Sequence, residues 1–193
     1  MKLNNNNKKR IQDKEDHNNN KSKKLNVVGN NELFQIRLKL VEFDNTEENV
    51  KKQRLDRMEN KKKLKSDVKL STAFVKKVGQ INESNAEALA KDVLTKLNLN
   101  RYVGEIVNAI LKAPLKLKDI SKVSIFCSAM HQRYEDFTNL FTEELEEMIE
   151  ENLSLKTPEK ADIVKRRICL RLLGELTIVN VIEHSKPQLL LIR

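Results

Sequence analysis

The chain has 193 residues, enough for one domain of ordinary size with a buried core, together with a tail. It contains only four Gly, three Pro and no Trp, and this shortage of turn signals and strand-forming residues predicts an all-α fold. The first ten residues, MKLNNNNKKR, contain no apolar core of a secretion signal. Because no stretch approaches the roughly 18 apolar residues of a membrane span, we expect a soluble intracellular protein.

The formal net charge of +9 is concentrated near the amino terminus. Residues 1–69 carry 19 Lys and Arg against 11 Asp and Glu, a net charge of +8, whereas residues 70–193 carry 18 against 17, a net charge of +1. A basic segment of this kind can hold a phosphate backbone without sequence preference, serve as a localisation signal, or remain a solvated tail. All three alternatives stay open at this point.

Composition divides the chain into three segments. Residues 1–30 are rich in Asn and Lys and have almost no apolar side chains, so we expect a disordered basic tail. In residues 31–66 apolar side chains recur at helical spacing among many charges, which predicts a charged helical leader. Residues 67–193 carry successive amphipathic stripes and are predicted to form the folded body.

The body begins with a predicted short helix over Ser71–Ile81. A second helix is predicted from Ser84, where Glu87 three residues later completes a capping box, to about Leu97. Apolar stripes and capping residues predict the later helices. Two of these helices are predicted to start at Asn100 and at Asp119, and the apolar stripe of the second continues after a bend near His131. A further helix is predicted to start at Thr157-Pro158-Glu159. Its predicted buried side contains Val164, Ile168, Leu172, Leu176 and Val179.

Successive antiparallel helices with short connections are typical of a HEAT-like α-solenoid of helical hairpins, with a compact bundle as the alternative. The chain stops at Leu189–Arg193, LLLIR, where another helix would open. We therefore expect a partial, truncated solenoid whose last complete helix leaves an apolar face uncovered and favours self-association.

The segment His131–Phe137, HQRYEDF, has the highest density of reactive side chains. On one helix His131 would lie near Glu135, and Arg133 near Asp136, which favours weak ion pairs. A metal-dependent hydrolase centred on His131 needs further ligands. The other histidines, His17 and His184, lie in the tail and near the end of the sequence. We therefore expect a structural polar segment rather than a catalytic or metal site.

The remaining reactive residues also favour structural roles. Cys127 and Cys169 each lie in an apolar run without a CxxC partner, which predicts buried free thiols. No GxSxG motif and no Gly-rich phosphate loop is present. The acidic run Glu143–Glu151 predicts a solvated helix face, with a docking strip for a basic partner as the alternative. The sequence thus predicts no catalytic, cofactor-binding or metal-binding residue, and it identifies no binding residue.

Four segments together carry a family likeness: STAFVKKV (71–78), LNLNRYVGEIVNAIL (97–111), HQRYEDF (131–137) and GELTIVNV (174–181). In order and spacing they resemble the first middle-domain module of the up-frameshift-two family, the scaffolds of nonsense-mediated mRNA decay. Modules of this type are named after the middle domain of translation initiation factor four G. The resemblance covers about residues 67–184.

The resemblance implies a non-catalytic protein- and RNA-binding scaffold in the cytoplasm, with access to the nucleus. It also implies partners among mRNA-decay or exon-junction proteins and no cofactor, membrane or small-molecule substrate. In that family the helicase and its cofactor generally bind the last module and the carboxyl-terminal tail, so no binding residue is carried over. The alternative is a direct RNA-binding module of translation or mRNA metabolism that acts through the basic leader.

Overall fold

A computed structural model of the chain describes residues 44–59, 67–157 and 159–183. Within these ranges the regular structure is seven α-helices and one short 3-10 helix, Asn100–Tyr102, so the all-α prediction is confirmed. The helices are α1 (Glu47–Glu59), α2 (Val68–Val78), α3 (Ala86–Thr95), α4 (Val103–Lys112), α5 (Ile120–Arg133), α6 (Asp136–Ser154) and α7 (Lys160–Ile178).

The helices pack as two rows of stacked hairpins. In one row α5 lies between α3 and α7, and in the other α4 lies between α2 and α6. Each of these helices therefore packs against the second helix along the chain, while α6 and α7 also pack against each other as a hairpin. This arrangement confirms the predicted HEAT-like α-solenoid. Helix α1 packs on α5.

Helix α5 is the centre of the stack. Ten of its 14 residues are buried, because α1, α3 and α7 all pack against it. Such a helix needs small or apolar side chains on every face, and α5 supplies Ser124 and Ser128 beside Phe126 and Met130. The buried hydroxyl of Ser124 donates to the carbonyl of Ser121 at 2.8 Å, so its burial leaves no unpaired group.

The predicted capping box at the start of α3 is wrong. The helix begins at Ala86 after Asn85, with no side-chain cap. The Ser84 hydroxyl donates to the Asn82 side chain at 2.5 Å, and Glu87 forms an ion pair with Lys122 of α5. Short polar side chains have several backbone and side-chain partners within reach, and here the loop before α3 provides a nearer one.

At three other predicted helix starts the expected side-chain cap is not formed. Asn100 does not cap α4, which begins at Val103 after the 3-10 helix. Asp119 stands at the amino-terminal cap position of α5, but its side chain makes no bond to that helix. At the start of α7 the capping pair is Glu159 with Asp162, whose carboxylate accepts the Glu159 amide at 2.9 Å, rather than Thr157.

The apolar stripes agree better with the structure than the caps do. Leu172 and Leu176 of α7 and Val179, just after its end, are buried as predicted, and Ile168 is partly buried, whereas Val164 is 50% exposed. The difference arises because the first turns of α7 border a surface groove. Among the described residues, every helix is too short or too polar to span a membrane.

The predicted segments are only partly covered by the described residues. The tail, residues 1–30, and the leader up to residue 43 lie outside them, as do residues 60–66 and Leu189–Arg193. All described residues belong to one compact unit, Leu40–Arg193. The division of the chain at residues 30 and 66 stays a prediction.

Candidate functional site

The HQRYEDF segment lies at the junction of two helices. Helix α5 ends at Arg133, Tyr134 adopts an extended backbone with φ −128° and ψ 115°, and α6 begins at Asp136. The amide of Tyr134 still donates to the carbonyl of Met130 at 2.8 Å, which closes the last turn of α5. The predicted bend near His131 is therefore a break between two helices.

Side chains of this junction bond mainly to the backbone of neighbouring elements. The Arg133 guanidinium donates to the Leu94 carbonyl at 2.7 Å, and the Tyr134 hydroxyl accepts the Leu99 amide at 2.9 Å. Neither predicted ion pair, His131 with Glu135 or Arg133 with Asp136, is formed among the described residues. The helix break removes the shared face on which those pairs depended.

Two arginines of α1, which we call the arginine clamp, hold this junction. Arg54 donates to the carbonyl of His131 at 3.1 Å, and Arg57 donates to the carbonyl of Arg133 at 2.9 Å. The last carbonyls of a helix have no partner within the helix and carry partial negative charge, so arginine is well suited to them. The clamp therefore supplies the carboxyl-terminal cap of α5.

Arg57 makes the larger number of contacts. Its Nη2 also donates to the Oδ1 atoms of Asn98 and Asn100, at 3.1 and 2.6 Å. Its guanidinium carbon lies 4.3 Å from the centroid of the Tyr134 ring, a cation–π geometry. Sequence reasoning missed both arginines, because they lie on a strongly polar helix, where charged side chains are ordinarily solvated.

His131 is poorly suited to acid–base catalysis. Burial, with a smaller effect of the Arg54 charge, lowers the pKa of His131 to about 4, so the ring is neutral at pH 7. Its Nδ1 and the Thr138 hydroxyl are hydrogen-bonded at 2.6 Å. A general base is most effective with a pKa near the working pH. Within the described ranges no three His, Cys, Asp or Glu side chains are grouped to hold a metal ion; His17 and His184 lie outside those ranges.

Both cysteines are buried and free, as predicted. Burial raises the pKa of the Cys127 and Cys169 thiols, which keeps them protonated and poorly nucleophilic. The Sγ atom of Cys169 lies 3.6 Å from the Sδ atom of Met148 on α6. The two thiols therefore contribute to packing rather than to chemistry at the surface.

An apolar groove opens where the end of α4 meets α6 and α7, with a volume of about 830 Å³. We call it the α6–α7 groove. Part of the acidic run borders it from α6, and lysines border it from α4 and α7. Its lining includes the apolar residues Met148, Val164, Ile168 and Leu172, the carboxylates Glu144, Glu147 and Glu151, and the lysines Lys112, Lys160 and Lys165.

The MIF4G domain family matches residues 68–188, which is more than half of the chain. Two curated relatives align with nearly the same region. "Regulator of nonsense transcripts 2" of Mus musculus is 38% identical over 124 residues, which is 64% of this chain and 10% of that protein. "Regulator of nonsense transcripts UPF2" of Arabidopsis thaliana is 40% identical over 125 residues, with 63% and 10% covered. The chain thus spans about a tenth of the length of these relatives.

A solved structure shows the same helical arrangement. The first MIF4G domain of human nonsense mediated decay factor UPF2 superposes with a TM-score of 0.60 and 30% sequence identity. The superposition covers 81% of this chain and 54% of the human domain. The match in sequence and the match in fold therefore point to the same kind of domain.

Proposed function

The chain belongs to the MIF4G domain family, and from that premise we propose that it is a non-catalytic, protein-binding scaffold of nonsense-mediated mRNA decay. The observation that carries this proposal is the family match over residues 68–188, which begins at the first residue of α2 and includes every helix through α7. The names of the aligned relatives, regulators of nonsense transcripts, supply the process.

The chemistry of the described residues supports a scaffold. His131 is neutral and bonded to Thr138, the two thiols are buried, and the arginine clamp is occupied by carbonyls of α5. His131 and the two thiols, which the sequence singled out, and the two clamp arginines therefore contribute to the fold. We propose partners among mRNA-decay or exon-junction proteins, and a cytoplasmic location with access to the nucleus.

The decisive experiment uses the chain in its own host. Two reporter transcripts are compared that differ only in a premature stop codon, and their half-lives are measured with the gene for this chain intact, deleted, and restored. A decay scaffold predicts that deletion lengthens the half-life of the premature-stop transcript alone. If both half-lives change equally, or neither changes, a role in nonsense-mediated decay is excluded.

Direct RNA binding is the second candidate, and the charge distribution favours it. The net charge of +8 in residues 1–69 includes four lysines, Lys61, Lys62, Lys63 and Lys65, within five residues. Each phosphate contact steepens the salt dependence of binding, with a logarithmic slope of about −0.7 per contact for single strands. We expect single-stranded RNA to bind the full chain far more weakly at 200 mM than at 50 mM salt.

Substitution of these four lysines by Gln should weaken RNA binding and flatten its salt dependence. The matched control replaces four lysines of the body, Lys76, Lys91, Lys118 and Lys156, by Gln, which removes the same charge. Equal losses in the two variants would show that net charge, rather than the leader, attracts the RNA. The same binding at both salt concentrations would exclude contacts to phosphate.

A further inference from the structure

The α6–α7 groove leaves apolar side chains open to solvent between well-packed helices. On α7, Val164 is 50% exposed, whereas Leu172, two turns further along, is 1% exposed. Both residues line the groove, and Ile168 between them is partly buried. From Lys160 to Leu172 the lining of α7 extends about 18 Å at 1.5 Å per residue, which is the length of a short helix.

The acidic and the basic side chains that line the groove come from different helices. Helix α6 contains seven acidic residues and no basic residue, and three of its carboxylates, Glu144, Glu147 and Glu151, line the groove. The lysines on the other sides, Lys112, Lys160 and Lys165, come from two separate elements. None of the described ion pairs includes any of these six side chains.

Acidic residues at the end of α6 are unfavourable for the helix itself. The carboxyl terminus of a helix carries partial negative charge, so basic side chains are favoured in the last turn and carboxylates are not. The last turn of α6 has no basic residue, and Glu151 lies close to the end at Ser154. Arg166 of α7 relieves part of this charge by donating to the Asn152 carbonyl.

We propose that the α6–α7 groove is the docking site for an amphipathic helix of a partner protein, with lysines or arginines on the flank that lies along α6. This inference rests on the proposed scaffold function and names the chemistry of its partner. Apolar side chains of the partner helix cover Val164 and Met148, while its basic flank neutralises Glu144, Glu147 and Glu151. Recognition of this type combines apolar anchors with a complementary charged rim.

The acidic side chains of α6 favour a partner whose flank along α6 is positively charged. An acidic helix in the groove would place carboxylates beside three carboxylates and the negative end of α6, where like charges repel. The lysines of the lining, Lys112, Lys160 and Lys165, belong to α4 and α7 and not to α6. A basic flank along α6 has no such conflict, because α6 itself contains no basic residue.

The test uses two fluorescein-labelled helical peptides of 18 residues and the full chain. Both peptides have the same leucine face; one has lysine and the other glutamate at the flanking positions. Fluorescence anisotropy measures their affinities for the unmodified chain and for four variants. We expect the lysine peptide to bind at least about tenfold more tightly than the glutamate peptide.

The four variants form two matched pairs. Glu147→Lys reverses a charge in the groove and should weaken the lysine peptide about fivefold or more, whereas Glu143→Lys, on the same helix but outside the lining, should have little effect. Val164→Asp places a charge in the apolar lining and should abolish most binding. Leu170→Asp is its control, because Leu170 is 45% exposed on α7 and does not line the groove.

Several results would overturn the proposal: equal affinity for both peptides, no binding of either, or equal losses in a variant and its control. Dimerisation of the full chain in light scattering that Val164→Asp abolishes would show that a second copy occupies the groove instead. Peptide results of this kind leave the reporter half-lives unaffected, so failure of the docking proposal is distinguishable from failure of the scaffold proposal.

Discussion

Asn45 and Val179 are 134 residues apart in the chain, yet the Asn45 side chain donates to the Val179 carbonyl at 2.7 Å. The same amide group donates to the Ser128 hydroxyl at 3.0 Å, and its oxygen accepts from the Gln132 side chain at 2.9 Å. Asn45 thus connects the residues before α1 to α5 and to the end of α7. A buried polar network with all its partners present fixes how these three parts fit together.

Replacement of Asn45 by Ala should lower the free energy of unfolding by about 2–3 kcal/mol, because the Gln132 amide and the Val179 carbonyl lose a buried partner. Urea denaturation measures this change. Asn49→Ala is the control, since the Asn49 side chain also donates to a backbone carbonyl, that of Asp44, but does so at the surface. Equal losses in both variants would contradict a special contribution from the buried network.

The arginine clamp should be sensitive to a substitution that keeps its charge. The Arg57 guanidinium has several N–H donors, which bond to the Arg133 carbonyl and to the side chains of Asn98 and Asn100. The single ammonium group of a lysine cannot make all of these bonds, and it has no planar group to stack on the Tyr134 ring. We expect Arg57→Lys to cost about 1–2 kcal/mol and to increase hydrogen exchange in α1. Lys51→Ala, which removes an exposed pair with Glu47, is the control. Undiminished protection of α1 in Arg57→Lys would show that other contacts hold the helix.

The helices and their buried faces were predictable because they follow local periodicity. Phe74, Val78 and Ile81 recur at helical spacing, and all three are buried. The same reasoning failed at Val164, where the spacing is right but no described helix covers the side chain. A side chain is buried only if a neighbouring helix packs over it, in addition to having the right helical spacing. The tertiary structure shows whether such a neighbouring helix is present.

The arginine clamp was not predictable for a related reason. Arg54 and Arg57 bond to residues 77 and 76 positions away, and a charged residue on a polar helix is ordinarily solvated. The predictions of helix caps were wrong for a similar reason. Asn100 and Asp119 were correctly identified as polar residues near helix starts, but the side chain of each bonds to another element. A polar side chain near a helix start can bond to several partners of similar strength, and sequence spacing does not show which partner it will bond to.

Asp119 joins two loops at the same end of the stack. Its carboxylate accepts the amide of Lys116 at 2.8 Å and that of Glu83 at 3.1 Å, and the residue is only 4% exposed. Asp119→Ala leaves both amides without this acceptor and should cost about 2–3 kcal/mol in urea denaturation. Glu83→Ala removes only an exposed ion pair with Lys118 and should change stability by less than about 0.5 kcal/mol. Similar losses in the two variants would mean that the Asp119 carboxylate is not the connection between the loops.

His131 should make stability depend on pH. In the folded chain burial and the nearby Arg54 charge lower its pKa to about 4, whereas in the unfolded chain it titrates near the ordinary value of 6.5. Between these two pH values the unfolded state binds more protons than the folded state. The contribution of neutral His131 is therefore fully present above pH 6.5, decreases as the pH falls, and is lost near pH 4. The whole effect amounts to at most about 3 kcal/mol.

A comparison with His131→Gln isolates this titration, because glutamine does not ionise and retains a polar group near Thr138. Urea denaturation of both chains at pH 7.5, 6, 5 and 4 gives the difference between their free energies of unfolding at each pH. Carboxylates elsewhere titrate in both chains and cancel in this difference. We expect the stability of the unmodified chain relative to the variant to fall between pH 6.5 and 4 by up to about 3 kcal/mol. A difference that stays constant over this range would show that His131 titrates alike in the folded and unfolded states, and hence that the junction of α5 and α6 does not bury its ring.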